Sequence, residues 1–372
     1  MSHPPPPGGP PPGNPGPPQG YSGPYGPPPQ QPPWEQQWPL GPPPKRRGNA
    51  WKWLLGSVAL LAVIGVTVAV TISVTADSGD EGAPPSGETF GLASADDTGP
   101  ANIITEDPSC AAWTPINDTF VDIQRGGWNR RDAAIPAAEW TPDQRREYQE
   151  VGRAAGDAAE QTVAVTKVTP HRVMRELYEQ FIAYARAYSD AVPTYKPADE
   201  HLAGALTNTA STITWACYAI TYGSAEARAP LVAAPPQPSQ IAHVTNPATA
   251  ERFLESTDPI CSPWYRLVDR VDADTKRWQE IDPSLSASEW SPEQRAIAEK
   301  TIPVMMRFAD DIQELGIESK NPVIQDLATL VAQYRSAYAA ALPTYTKADS
   351  YLSSTSARAA AIVYQACKAV ES

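Results

Sequence analysis

The chain has 372 residues, 42 of them proline, and a formal net charge of −13. Four cations in residues 1–76 (Lys45, Arg46, Arg47, Lys52) stand against Glu35 alone, a net +3 that leaves −16 for the rest. A region that acidic repels phosphate backbones and anionic lipid headgroups, so nucleic acid is excluded as a partner.

Residues 1–50 read as a disordered, proline-rich cytoplasmic tail. Twenty of the prolines fall in the first 44 residues, interleaved with Gly, Gln, Tyr and Ser. Such composition buries no core and favours polyproline II or a solvated spacer. A proline-recognising cytoplasmic protein is the kind of partner it would take.

Residues 51–76 are predicted to be a transmembrane helix. The 23 residues from 54 to 76 carry no charge, and about 20 apolar residues span a bilayer. Basic residues and Trp51 and Trp53 precede the run and Asp77, Asp80 and Glu81 follow it, which sets the N-terminus in the cytoplasm and the C-terminal part outside the plasma membrane. Cleavage after Val74-Thr75-Ala76 is the alternative, but the run is longer than the apolar stretch of an ordinary signal peptide. Residues 77–106 read as an acidic tether.

The remainder is a tandem duplication. Asp107-Pro108-Ser109-Cys110 recurs as Asp258-Pro259-Ile260-Cys261, and Trp113 as Trp264. From Trp128/Trp278 onward the offset is 150, through Glu139-Trp140-Thr141-Pro142 and Glu289-Trp290-Ser291-Pro292 to Cys217 and Cys367. Repeat 1 is placed at 107–223, a proline-rich linker at 224–250, and repeat 2 at 251–372. Each repeat carries four helical patterns. In repeat 2 the first starts at Cys261, the second at the cap-and-proline signal Ser291-Pro292, the third at Asn321-Pro322, and the fourth after Pro343-Thr344-Tyr345. The third has the apolar stripe Leu327, Leu330, Val331, Tyr334, Tyr338, at helical spacing. The fold class is therefore all-α: two antiparallel four-helix-bundle-like units. In such a bundle the start of the first helix and the end of the fourth lie together, so Cys110 pairs with Cys217 and Cys261 with Cys367, as an oxidising compartment allows.

The chemistry is sparse. His3, His171, His201 and His243 have no metal-ligand spacing, no nucleophile or phosphate motif occurs, and neither catalytic residues nor a cofactor is expected. Asp199 and Asp349 read as acids at a helix start. The sharpest element is the repeated Glu-Trp-Ser/Thr-Pro-Asp/Glu-Gln-Arg. Trp140 and Arg145, Trp290 and Arg295, with Tyr195 and Tyr345, form a speculative ligand surface; the plainer reading is packing at a capped helix start.

The Tyr-Ser-Gly-Pro-Tyr-Gly-Pro-Pro-Pro tail, Lys-Arg-Arg, single span, acidic tether and cysteine-paired alanine-rich helices resemble the proline-rich single-pass membrane proteins of mycobacteria and related actinobacteria. The resemblance implies an envelope location and no particular activity. The expected function is a non-catalytic binding or scaffold module with an envelope protein or glycolipid partner; the alternative is a helical-bundle enzyme acting on an envelope sugar or lipid.

Overall fold

The computed structural model describes residues 88–372. The tail, the span and the first part of the tether lie outside the described residues. Among the described residues all regular structure is helical, in nine α-helices joined by loops and single 3₁₀ turns. In repeat 1 these are α1 (Ser109–Gln124), α2 (Pro142–Thr166), α3 (Arg172–Ala191) and α4 (Glu200–Thr221), followed by the short α5 (Ser224–Arg228). In repeat 2 they are α6 (Cys261–Gln279), α7 (Pro292–Glu318), α8 (Pro322–Ala341) and α9 (Ser350–Glu371). No helix among the described residues is long and apolar enough to cross a membrane.

Local chemistry sets the helix starts. The Thr141 hydroxyl accepts the Gln144 N–H at 3.2 Å while Gln144 Oε1 accepts the Thr141 N–H at 2.9 Å. Ser291 and Gln294 repeat this reciprocal cap at α7. Both satisfy donors that a helix start leaves open, and Pro142 and Pro292 at the first helical position lack the N–H that would otherwise need a partner.

Within each repeat consecutive helices pack side by side, and the fourth returns to the first. Both disulfides close as the spacing predicts: Cys110–Cys217 with Cα atoms 5.5 Å apart and Cys261–Cys367 at 5.6 Å. Equivalent tryptophans do equivalent work. The Trp128 indole donates to the Tyr188 hydroxyl at 2.6 Å and Trp278, in the last turn of α6, to Tyr338 at 3.1 Å, pinning the end of each repeat's first helix or the turn just after it to the third helix.

The two repeats are packed into one core. Helix α4 lies along α9, and α3 touches α8. The contacts obey a pseudo-two-fold relation. His201 Nδ1 meets Gln365 Oε1 at 2.8 Å, and the positions related by the 150-residue offset, Tyr351 and Trp215, stack with centroids 5.8 Å apart. Gly204 lets the helices approach here, since a Cβ would fall 2.8 Å from Gln365 Cδ. His201 is half-buried between the repeats, because the face of α4 that carries it is covered by α9. His171 bonds to the Glu106 carbonyl oxygen, and His243 is exposed.

The segments ahead of the repeats are packed too. Leu92, Ala101, Ile103 and Ile104, inside the stretch read as tether, are buried, and the Ile104 N–H donates to the hydroxyl of Tyr334 in repeat 2 at 3.2 Å. Conversely, Gln180 of repeat 1 donates to the Glu251 carbonyl at 3.2 Å and accepts the Phe253 N–H at 2.9 Å. These segments lack helical period because they lie outside the helices and are fastened by side chains of both repeats. The stretch read as linker also lies on the protein. Gly223, with φ +77°, reverses the chain after α4. Arg228 on α5 then grips Asp349 at 2.8 and 2.9 Å.

Candidate functional site

The Glu-Trp-Ser/Thr-Pro elements fold alike in both repeats. Trp140 and Trp290 are buried and donate their indole N–H to the Ile135 and Leu285 carbonyls at 2.9 and 3.2 Å. Arg145 and Arg295 reach back to the Ala137 and Ala287 carbonyls at 2.6 and 2.8 Å. Tyr195 and Tyr345 lie against the tryptophans with centroids 5.4 and 5.5 Å apart, and their hydroxyls donate to the Ala133 and Pro283 carbonyls at 3.0 and 2.7 Å. The structure brings each trio together, and their polar atoms hold the loop between the first and second helix.

Repeat 1 adds to this frame what repeat 2 lacks. Arg131 forms an ion pair with Glu200, and its guanidinium carbon lies 3.3 Å from the Trp128 ring centroid. Tyr148 stacks on Trp140 at 3.9 Å. The corresponding residues of repeat 2 are Ile281, Ser350 and Ala298. Asp199 and Asp349, read as helix-start acids, accept the equivalent Lys196 and Thr346 N–H groups at 2.7 and 2.8 Å, and Asp349, fully buried, also takes the bidentate bond of Arg228.

The densest charge lies where α3 meets α8. Arg172, Arg175, Glu176, Glu179 and Asp326 are all buried. Arg172 makes a two-point bond to Asp326, Nε to Oδ2 at 2.9 Å and Nη2 to Oδ1 at 2.8 Å. Its Nη1 also donates to the Asp97 and Gly99 carbonyls at 2.9 and 2.8 Å. One guanidinium therefore ties the leading segment, repeat 1 and repeat 2. Glu176 sits 3.7 Å from Arg172 Nε and Glu179 3.6 Å from Arg175 Nε. Neither Glu176 oxygen has a hydrogen-bond partner, nor has Glu179 Oε1 or Arg175 Nε and Nη1. Burial, with Asp326 beside it, pushes Glu176 well above the carboxylate range. Burial pushes Glu179 up to about 7, with Arg175 pulling it back.

Sequence reading did not single out this cluster, yet a signal exists. Positions 172, 175, 176 and 179 fall on one helical face, opposite the apolar stripe of Val173, Leu177 and Tyr184. Chemically the cluster holds surfaces together and adjusts its protonation; its burial keeps a substrate away. Among the described residues no group of three or more His, Cys, Asp or Glu side chains is placed to hold a metal ion.

The geometry defines a duplicated, disulfide-closed helical module whose ionic centre fastens its two halves. Residues 92–371 match the family described as mycobacterial ESX-1 associated protein, and the chain belongs to that family. It is 48% identical over 341 residues to an uncharacterized protein of Mycolicibacterium smegmatis (strain MKD8), covering 90% of each chain. No solved structure matches it.

Proposed function

We propose that the protein is a membrane-anchored, extracytoplasmic binding or scaffold component of the mycobacterial plasma membrane, working beside the ESX-1 secretion system and catalysing no reaction itself. The observation that carries this reading is the fate of its polar side chains. Trp140, Arg145, Tyr195 and their counterparts Trp290, Arg295 and Tyr345 spend their hydrogen bonds on loop carbonyls. The charged junction is enclosed. What reaches solvent is largely an acidic helical surface, suited to holding a partner protein or glycolipid. The family's description as ESX-1 associated supports the link to that secretion system. The apolar run 54–76 and its basic flank support the single span with the proline-rich tail inside.

The test is photo-crosslinking of the full-length protein in mycobacterial membranes, identification of the captured components, and measurement of ESX-1 export in a deletion strain. Capture of ESX-1 membrane components and reduced export are expected. Normal export together with capture of unrelated proteins only would overturn the association. A reporter fused after Ser372 that works solely in the cytoplasm would overturn the topology, and turnover of an envelope sugar or lipid by the purified chain would overturn the non-catalytic role.

A further inference from the structure

The pseudo-two-fold relation exposes a surface that packing does not explain. At one end of the α4–α9 contact lie Trp215, Tyr218 and Tyr351, half-buried, with Tyr222, which is 43% exposed. Tyr351 stacks on Trp215 at 5.8 Å and on Tyr222 at 5.0 Å, with interplanar angles of 20° and 25°. Tyr218 meets all three edge-on at 5.5 to 6.0 Å. At the related end the same four positions hold Gln365, Lys368, His201 and Ser372. There the His201–Gln365 hydrogen bond joins the helices. The fold closes this contact without aromatic residues, so the aromatic quartet is surplus to closure.

Its polar atoms are also uncommitted. Trp113, Trp128, Trp140, Trp264, Trp278 and Trp290 each donate the indole N–H to an acceptor inside the protein. Among the described tryptophans Trp215 alone has no such acceptor, and the hydroxyls of Tyr218, Tyr222 and Tyr351 are likewise without internal partners. The surface combines ring faces with a rim of one N–H and three O–H groups. The groups acting electrostatically on Tyr218 and Tyr351 are Asp118 and the neighbouring tyrosines. The field of Asp118 at Tyr218 disfavours an anionic ligand. Each tyrosine hydroxyl can accept as well as donate, and a polyproline segment, which offers carbonyls and no N–H, uses only the donors. A sugar uses both: C–H faces for the rings, hydroxyls that donate to the tyrosine oxygens, and oxygens that accept from Trp215 and the tyrosine O–H groups.

We propose that Trp215, Tyr218, Tyr222 and Tyr351 form a binding site for neutral carbohydrate, engaged by ring stacking with hydrogen bonds at the rim. The proposal goes beyond the scaffold reading and rests on other residues, so either can fail alone.

The full-length protein, purified in a detergent without a sugar headgroup, is titrated calorimetrically with two neutral probes, maltoheptaose and a linear galactan oligosaccharide. Polygalacturonate and decaproline serve as anionic and proline-rich comparators. At least one neutral probe is expected to bind and the comparators not to. Tyr222→Ala and Trp215→Ala should each weaken binding by about tenfold. Lys368→Ala, at the related end, should leave it unchanged. Tyr222 is exposed, so its variant carries the test even if Trp215→Ala disturbs folding; circular dichroism checks both. Absence of binding by both neutral probes, affinity unchanged in Tyr222→Ala, or preferential binding of decaproline or polygalacturonate at this patch would overturn the proposal.

Discussion

Arg358 Nη1 donates to Asn208 Oδ1 at 3.2 Å, and the two residues are separated by 150 positions, the offset of the duplication itself. Each is the other's counterpart, so the pseudo-dyad passes between them. The α4–α9 contact is thus an isologous interface of the kind that builds two-fold dimers, here within one chain. Divergence has made it unequal: Asn208 is buried and also donates to the Gly204 carbonyl at 2.8 Å. Asn208→Ala is expected to lower unfolding stability by about 1–2 kcal/mol, read from the urea midpoint, because Arg358 loses an acceptor at a closed interface. An unchanged midpoint would show that this bond contributes nothing.

Arg172→Ala should be among the most damaging single changes. It leaves Asp326 buried without its two-point partner and releases the Asp97 and Gly99 carbonyls. Breaking one side of a buried pair costs about 3–5 kcal/mol. The double variant Arg172→Met, Asp326→Leu should recover part of that loss. A double variant as unstable as the sum of the singles would show that the two residues do not interact.

The Glu179 carboxyl gives stability a pH dependence of definite sign. Its folded value of about 7 lies above the ordinary 4.5, so between those values the folded state binds more protons than the unfolded state. Stability is then full at low pH and falls as pH rises through 7. The greatest loss this group can cause is about 3 kcal/mol at 1.36 kcal/mol per unit. Glu176, also raised, acts in the same direction. Glu179→Gln should flatten the decline measured between pH 5 and pH 8, and an undiminished slope in that variant would assign the effect to other groups.

Replacing Cys110 and Cys217 by serine opens a bridge spanning 107 positions. The expected fall in Tm is about 5–15 °C, since closing a loop near 100 residues is worth up to about 5 kcal/mol in the chain-entropy model. Far-UV ellipticity at 25 °C should persist, because the caps at Thr141 and Ser291 and the apolar stripes do not depend on the bridge. Loss of helicity at 25 °C would show that the bridge holds up the core.

The elements legible in the sequence are those whose causes are local. Caps with proline at Thr141-Pro142 and Ser291-Pro292 mark helix starts within a residue, and the offset of 150 carries the pattern from one repeat to the other. Pairing of the cysteines followed from bundle connectivity. What periodicity did not give is which faces meet across the duplication. Arg172 and Asp326 lie 154 positions apart, and the stripe of each helix names its own bundle partner without naming the helix on its other side. The candidate surface around Trp140 was legible as a motif, but a sequence does not say that Arg145 turns back to the Ala137 carbonyl. The differences between repeats, Arg131 against Ile281 and Trp215 against Gln365, were readable at the same offset and mark where the halves have specialised.

The leading segment also sets an order of events in biosynthesis. Ile104 finds the hydroxyl that receives its N–H on Tyr334, which follows it by 230 positions. Synthesis runs from the N-terminus, so residues 101–104 exist long before α8 and its Tyr334. Until α8 is made, the Ile104 N–H lacks this acceptor. A chain halted after repeat 1 would leave that end of the leading segment unfastened, so unfinished products carry their own mark for proteolysis.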